Sequence, residues 1–195
     1  EKDNGEILVL VHGFSTPSVV WEGVLPFLID NGYKVLLYDH FGRGYSSRPK
    51  IKYSKSLYVE SLNELLESQK IEEKISLVGY SMGGPIVAGF LEKYRNKVKS
   101  VSFIAPAGYM SLHVPWYQKL FYQILTLPLV SQFISVVAPS IFYGGNSTLV
   151  LSTKEDENHV PQNRLNEIYS EQMSYEGFTR SLLSTIKNFN LLVFL

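Results

Sequence analysis

The first half of the chain alternates short apolar runs with longer segments of helical periodicity. Residues 7–11, 34–39, 74–79 and 98–105 are rich in valine, isoleucine and leucine, as buried strands are. Segments 18–30, 54–69 and 85–95 have the apolar spacing and end signals of helices. Strands that are apolar throughout and separated by helices predict an α/β fold, a mainly parallel sheet with helices on both faces. Ligands of such folds bind at the carboxyl ends of the strands.

Composition excludes several classes of function. The 195 residues are enough for one domain with a sizeable core, and 18 basic residues balance 18 acidic ones. A neutral chain gives no sign of a nucleic-acid partner. The absence of cysteine excludes disulfides, thiolate metal sites and cysteine nucleophiles. Gly42-Arg-Gly44 lacks the third glycine of a dinucleotide fingerprint, and no metal-ligand cluster is present, so we predict neither a cofactor nor a metal.

The second half has a different pattern. Residues 109–188 are mostly helical in periodicity, with candidate helices at 116–127, 129–137, 163–174 and 175–187, which predicts a helical cap after the fourth strand. Residues 120–153 carry no charge, and residues 124–143 within them are long enough to span a bilayer. Pro128 and Pro139 favour a buried or interfacial lid instead, which leaves contact with a lipid surface open. Residues 189–195 are an apolar tail or the start of a further strand.

One motif carries chemistry. Gly79-Tyr-Ser-Met-Gly83 matches G-x-S-x-G and lies between a predicted strand and a predicted helix. Such a turn projects the serine hydroxyl into a cleft, and its glycines allow strand and helix to approach closely. The motif predicts Ser81 as a nucleophile. The alternative is a plain turn in which serine caps the helix.

A second segment lies at the end of the first predicted strand, His12-Gly13-Phe14. An oxyanion hole needs a backbone N–H from this loop and another from the residue after the nucleophile. Phe14 and Met82 occupy those positions. His12 has two interpretations, a general base or a residue that organises the loop through backbone hydrogen bonds, and we favour the second.

Together these motifs identify a family resemblance. H-G-F at 12–14, D-H-F-G-R-G-Y-S at 39–46 and G-Y-S-M-G-G at 79–84 occur in the order seen in the α/β-hydrolase superfamily. The chain resembles its esterase, monoacylglycerol-lipase and C–C-hydrolase branches. The resemblance implies a hydrolase core over 1–108, a cap over 109–188, loop-organising roles for Asp39 and Arg43, and a small-molecule ester substrate. Serine at position 81 argues against epoxide hydrolases and haloalkane dehalogenases, which have aspartate there.

The resemblance also implies a catalytic acid and then a histidine after the cap. Residues 189–195 contain neither. His159 follows three acidic residues in a highly charged stretch, and His113 lies at the cap entrance; each is a weaker candidate for the base or for the pocket lining. We therefore expect a truncated hydrolase with exposed sheet edges, weak or inactive alone. The alternative is an incomplete module that binds a small apolar ligand. We expect a cytoplasmic or membrane-peripheral location.

Overall fold

Four parallel strands form the sheet of this computed structural model, which describes residues 5–108, 124, 130 and 160–189. The strands are β1 (Ile7–Val11), β2 (Lys34–Leu37), β3 (Ile75–Tyr80) and β4 (Val98–Ile104), in the order β2-β1-β3-β4. All three neighbouring pairs are parallel. The predicted α/β class with a parallel sheet is confirmed, and the carboxyl ends of all four strands meet at one edge.

Five α-helices are described: α1 (Leu25–Asp30), α2 (Lys55–Ser68), α3 (Gly83–Lys93), α4 (Gln162–Ser174) and α5 (Phe178–Asn188). A 3₁₀ turn, Arg95–Lys97, joins α3 to β4. The single helix predicted over 18–30 is wrong. Residues Ser18–Val24 form a 3₁₀ helix, and α1 follows it with Pro26 in its first turn. Proline has no N–H to donate to the carbonyl four residues earlier, so the α-helical pattern cannot run continuously through this point.

Successive side chains of β1 point to opposite faces of the sheet and belong to two separate hydrophobic clusters. Val9 and Val11 pack with the buried side chains of α2 and α3, while Leu8 and Leu10 pack against Trp21 of the 3₁₀ helix. Successive strand residues point to opposite faces, so a strand that is apolar throughout needs cover on both sides. The sheet therefore has helical cover on both faces, as predicted.

The end of the described chain returns to the core. Helices α4 and α5 match the predictions at 163–174 and 175–187, except that α5 begins at Phe178, after Gly177 with φ +84°. Phe189 is buried beside the ring of Tyr58 on α2, at 5.7 Å between centroids. Apart from residues 124 and 130, the predicted helices at 116–127 and 129–137 and the uncharged stretch at 120–153 lie outside the described residues.

Two further expectations concern the surface. Strand β4 forms one edge of the described sheet, and its Phe103 and Ile104 are 46% and 47% exposed, in line with the expected exposed edge. Within the described part of the chain, no helix has both the length and the apolar character needed to cross a membrane.

Candidate active site

Ser81 lies in the turn between β3 and α3. Its φ is +50°, a left-handed conformation that residues other than glycine seldom adopt. The backbone holds it there: its N–H donates to the Ile104 carbonyl at 3.1 Å, and its carbonyl accepts from Ala107 N–H at 2.9 Å and Gly84 N–H at 3.0 Å. The end of β4 thus fixes the strained turn from both sides, and Ser81 remains partly exposed.

The glycines of the motif are required by close approach. A Cβ built at Gly79 would lie 2.6 Å from the Gly83 carbonyl oxygen, and one at Gly83 would lie 2.2 Å from the Val11 carbonyl oxygen. Gly13 faces Ser81 directly, because its Cβ would lie 3.2 Å from the Ser81 Cβ. The backbones of β1, β3 and α3 therefore meet around Ser81 without room for side chains.

The two predicted oxyanion donors flank this point. Met82 is fully buried at the start of α3, and Phe14 follows Gly13 in the loop after β1. Among residues 5–108 and 160–189, no acceptor is present for the backbone N–H of either residue. The helix dipole of α3 adds positive potential at its N-terminus, close to Ser81.

His12 is fully buried and bonded to backbone on both sides of its ring. Its Nε2 accepts the His40 N–H at 2.9 Å, so its proton is on Nδ1, which donates to the Gly13 carbonyl at 2.9 Å. Burial lowers the pKa of His12 to about 4, although the Asp39 carboxylate, 4.0 Å from Nε2, opposes this shift. His12 is neutral and its ring nitrogens are already engaged, which fits a loop-organising residue better than a base.

His40 is a neighbour that the sequence did not single out. Its Nε2–H donates to the His12 carbonyl at 3.2 Å, and the two rings lie 4.0 Å apart. Burial and the neighbouring His12 hold the pKa of His40 well below its usual range. The two histidines are therefore an uncharged part of the core beneath the loop. The position of His40 after a predicted strand did not predict its contact with His12.

Asp39 organises the loop that follows β2. Its Oδ1 accepts the Ser18 N–H at 2.8 Å and its Oδ2 accepts the Tyr45 N–H at 3.0 Å. A Cβ on Gly44 would lie 1.9 Å from Oδ2, so the loop wraps tightly around the carboxylate. Both oxygens are committed to backbone amides.

Three residues of α4 and α5 that the sequence analysis missed also reach this loop. Gln172 Oε1 accepts the Gly44 N–H at 2.7 Å, and the hydroxyls of Ser181 and Thr185 accept hydrogen bonds from the buried Arg43. The spacing of Ser181 and Thr185 by four residues places them on one helix face, the only hint in the sequence.

Two other features bear on the site. A cavity of about 200 Å³ lies between the 3₁₀ helix, the loop after β2 and α4; Gln172 and Asp39 line it, and Ser81 does not. The weaker candidates His113 and His159 lie outside the described residues. Within residues 5–108 and 160–189, no group of histidine and acidic side chains is arranged to hold a metal ion.

Comparison with known proteins shows the family to which the chain belongs. The model of the α/β-hydrolase fold family matches residues 6–188, and the chain belongs to that family.

Individual relatives match about half of the chain's length. A putative non-heme chloroperoxidase from Synechocystis is 34% identical over 103 residues, which is 52% of this chain and 37% of that protein. Lipase 1 from Psychrobacter immobilis is 33% identical over 112 residues, 57% of this chain and 35% of the lipase. An esterase structure from Exiguobacterium antarcticum matches 96% of this chain and 68% of its own, at 20% identity and a TM-score of 0.68, which shows the fold alone. The matches thus cover about a third of the length of these curated relatives.

Proposed function

We propose that this chain carries the nucleophile and oxyanion hole of a serine hydrolase that acts on carboxylic esters. The observation that carries the proposal is Ser81 at φ +50° on a glycine-lined strand-to-helix turn. A strained backbone at a partly exposed serine is the kind of feature that functional sites retain. A serine that merely capped the helix would not need it.

The reaction follows from the groups around Ser81. Its Oγ attacks the ester carbonyl carbon, and the electron pair of the C=O bond moves onto oxygen. The Phe14 and Met82 amides, which lack acceptors in the described structure, donate to that oxyanion. Collapse expels the alcohol, which takes up the proton that Ser81 gave to the base. Water then hydrolyses the acyl-enzyme to the carboxylic acid and restores the serine.

Neither of the histidines in the described part of the chain is placed as the general base. His12 and His40 are buried, neutral and bonded to backbone, and both oxygens of Asp39 are occupied. A serine without a base is a poor nucleophile, with roughly 10³–10⁴-fold residual catalysis over water from the oxyanion hole and binding. We therefore propose that the chain alone is weakly active.

The acyl group is proposed to be apolar. Relatives include proteins named lipase 1 and lipase 3, which share 33% and 32% identity with parts of this chain. The uncharged stretch at 120–153 falls within the proposed cap, 109–188, where an acyl chain would be enclosed.

A second candidate is a binding module that has kept the pocket and lost the chemistry. It is supported by two features of the described residues: the Phe14 and Met82 amides lack acceptors, and neither described histidine is placed as a base.

One pair of measurements separates the two candidates. The wild-type chain is incubated with a fluorophosphonate probe and with p-nitrophenyl esters of two, four and eight carbons. Labelling and hydrolysis that Ser81→Ala removes, and that the exposed β4 variant Ser102→Ala retains, support the hydrolase. If a folded wild-type chain is not labelled and hydrolyses none of the esters, the hydrolase proposal is wrong. Saturable binding of an unreactive fatty alcohol would then favour the module.

A further inference from the structure

Helix α5 supplies two buried hydroxyls to Arg43, which is fully buried in the loop after β2. Arg43 Nη2 donates to Thr185 Oγ1 at 3.1 Å, and Nη1 donates to Ser181 Oγ at 3.2 Å. The contact is close, since a Cβ on Gly42 would lie 2.6 Å from the Ser181 Cβ. A helix about 140 residues away in sequence thus rests directly on this loop.

Hydrogen bonding at Thr185 is fully determined. Its single hydroxyl proton goes to the Ser181 carbonyl at 2.8 Å, so Tyr58 must be the donor in the 3.0 Å contact between their hydroxyls. Both lone pairs of Thr185 Oγ1 are then used, one by Tyr58 and one by Arg43. Loss of this hydroxyl removes one of the acceptors of the buried Arg43 side chain.

The other end of Arg43 reaches the loop after β1. Its Nε–H donates to the Phe14 carbonyl, and its guanidinium lies over the Phe14 ring at 5.0 Å from the centroid. Arg43 therefore contacts both the carbonyl and the ring of Phe14, which restricts rotation about the backbone bonds of Phe14. The planar, fixed fork of arginine suits this role because its donors point in several set directions.

We propose that Thr185 and Arg43 are positioning residues. They couple the position of α5 to Phe14 and so orient the Phe14 amide toward the oxyanion. The inference rests on the proposed function of Phe14 as an oxyanion donor. Without the Thr185 hydroxyl, the buried guanidinium turns toward another acceptor and its hold on the Phe14 carbonyl weakens. The amide then drifts from the position that the transition state requires, while the ground-state pocket is unchanged.

The test separates chemistry from binding. Thr185→Val keeps the shape of the side chain and removes the acceptor, and Thr179→Val makes the same change elsewhere on α5. We expect Thr185→Val to slow the maximal rate of Ser81 phosphonylation by about tenfold, below the roughly 10²–10³-fold loss of a whole oxyanion donor. The probe concentration at half-maximal rate stays unchanged, Thr185→Ser restores the rate, and Thr179→Val matches wild type. Equal maximal rates for Thr185→Val and wild type would overturn the proposal.

Amide hydrogen exchange provides a readout that does not need a reactive serine. We expect the segment 12–16 to exchange faster in Thr185→Val than in Thr179→Val or wild type, and equal exchange overturns the inference. If wild type is unlabelled yet exchange differs, the link between α5 and Phe14 stands and the proposed function fails. Should Thr185→Val not fold, Ser181→Ala removes the other α5 acceptor of Arg43 and is expected to change rate and exchange in the same direction; no change would overturn the proposal.

Discussion

The backbone N–H of His40 donates to Nε2 of His12 at 2.9 Å, and the two imidazole rings lie 4.0 Å apart in the core. This contact fixes the tautomer of His12 and joins the loop after β1 to the loop after β2. A protonated His12 could not accept that hydrogen bond. The neutral state of the pair is therefore part of the folded structure.

Stability should fall as the pH drops below about 6.5. Burial holds the pKa of His12 at about 4 in the folded chain, so the unfolded chain binds a proton first and gains stability relative to the folded one. The loss begins near pH 6.5 and is complete below pH 4, reaching roughly 2 kcal/mol at pH 5 for His12. Urea unfolding at pH 7.5, 6 and 5 measures it. His12→Asn should give a shallower dependence, and a wild-type curve that is flat over this range would contradict the assignment.

Gly83→Ala should destabilise the chain strongly. Its Cβ would lie 2.2 Å from the Val11 carbonyl oxygen, a backbone atom that cannot move without disturbing β1. We expect a loss of at least about 2–3 kcal/mol in the free energy of unfolding. The control is Gly89→Ala on the same helix, whose Cβ would meet a Val59 methyl at 3.1 Å and which gains helix propensity, for a net change within about 1 kcal/mol. Equal stability of the two variants would rule out the close approach.

Asp39→Asn should affect stability more than reactivity. The new amide group would face the N–H of Ser18 or of Tyr45, which leaves one donor without an acceptor. We expect a loss of about 1–3 kcal/mol by denaturant unfolding, with the Ser81 labelling rate within about threefold of wild type under folded conditions. A large fall in labelling at unchanged stability would instead make Asp39 the acid of the catalytic machinery.

Gln172→Met and Arg164→Met should differ in effect on α4. Gln172 is buried and its Oε1 accepts the Gly44 N–H, so its loss should cost about 1–2 kcal/mol. Arg164 pairs with Glu22 at 2.8 Å on the exposed surface, where such pairs contribute little. Thermal unfolding of both variants compares the two losses of stability. The prediction is contradicted if Arg164→Met lowers the melting temperature as much as Gln172→Met.

Much of the strand and helix pattern was predictable from local sequence. The four strands were placed within two residues because each is centred on apolar residues, and α2 and α3 were found from their spacing and end signals. The division of 18–30 was missed, although Pro26 lies within the segment and cannot continue an α-helix from the turn before it. Ser81 was marked by the glycines around it, whose close contacts the structure explains.

The sequence by itself determined the α/β class, the turn at Ser81 and the loop that contains Phe14. These features depend on short-range periodicity and on positions that only glycine can occupy. Only the tertiary structure decided which polar side chains are buried together. His40 lies on His12, Gln172 meets Gly44, and Thr185 meets Arg43 across distances in sequence that no local pattern encodes. Those contacts form because buried donors need acceptors, and the packing of the whole chain decides which acceptor is in reach.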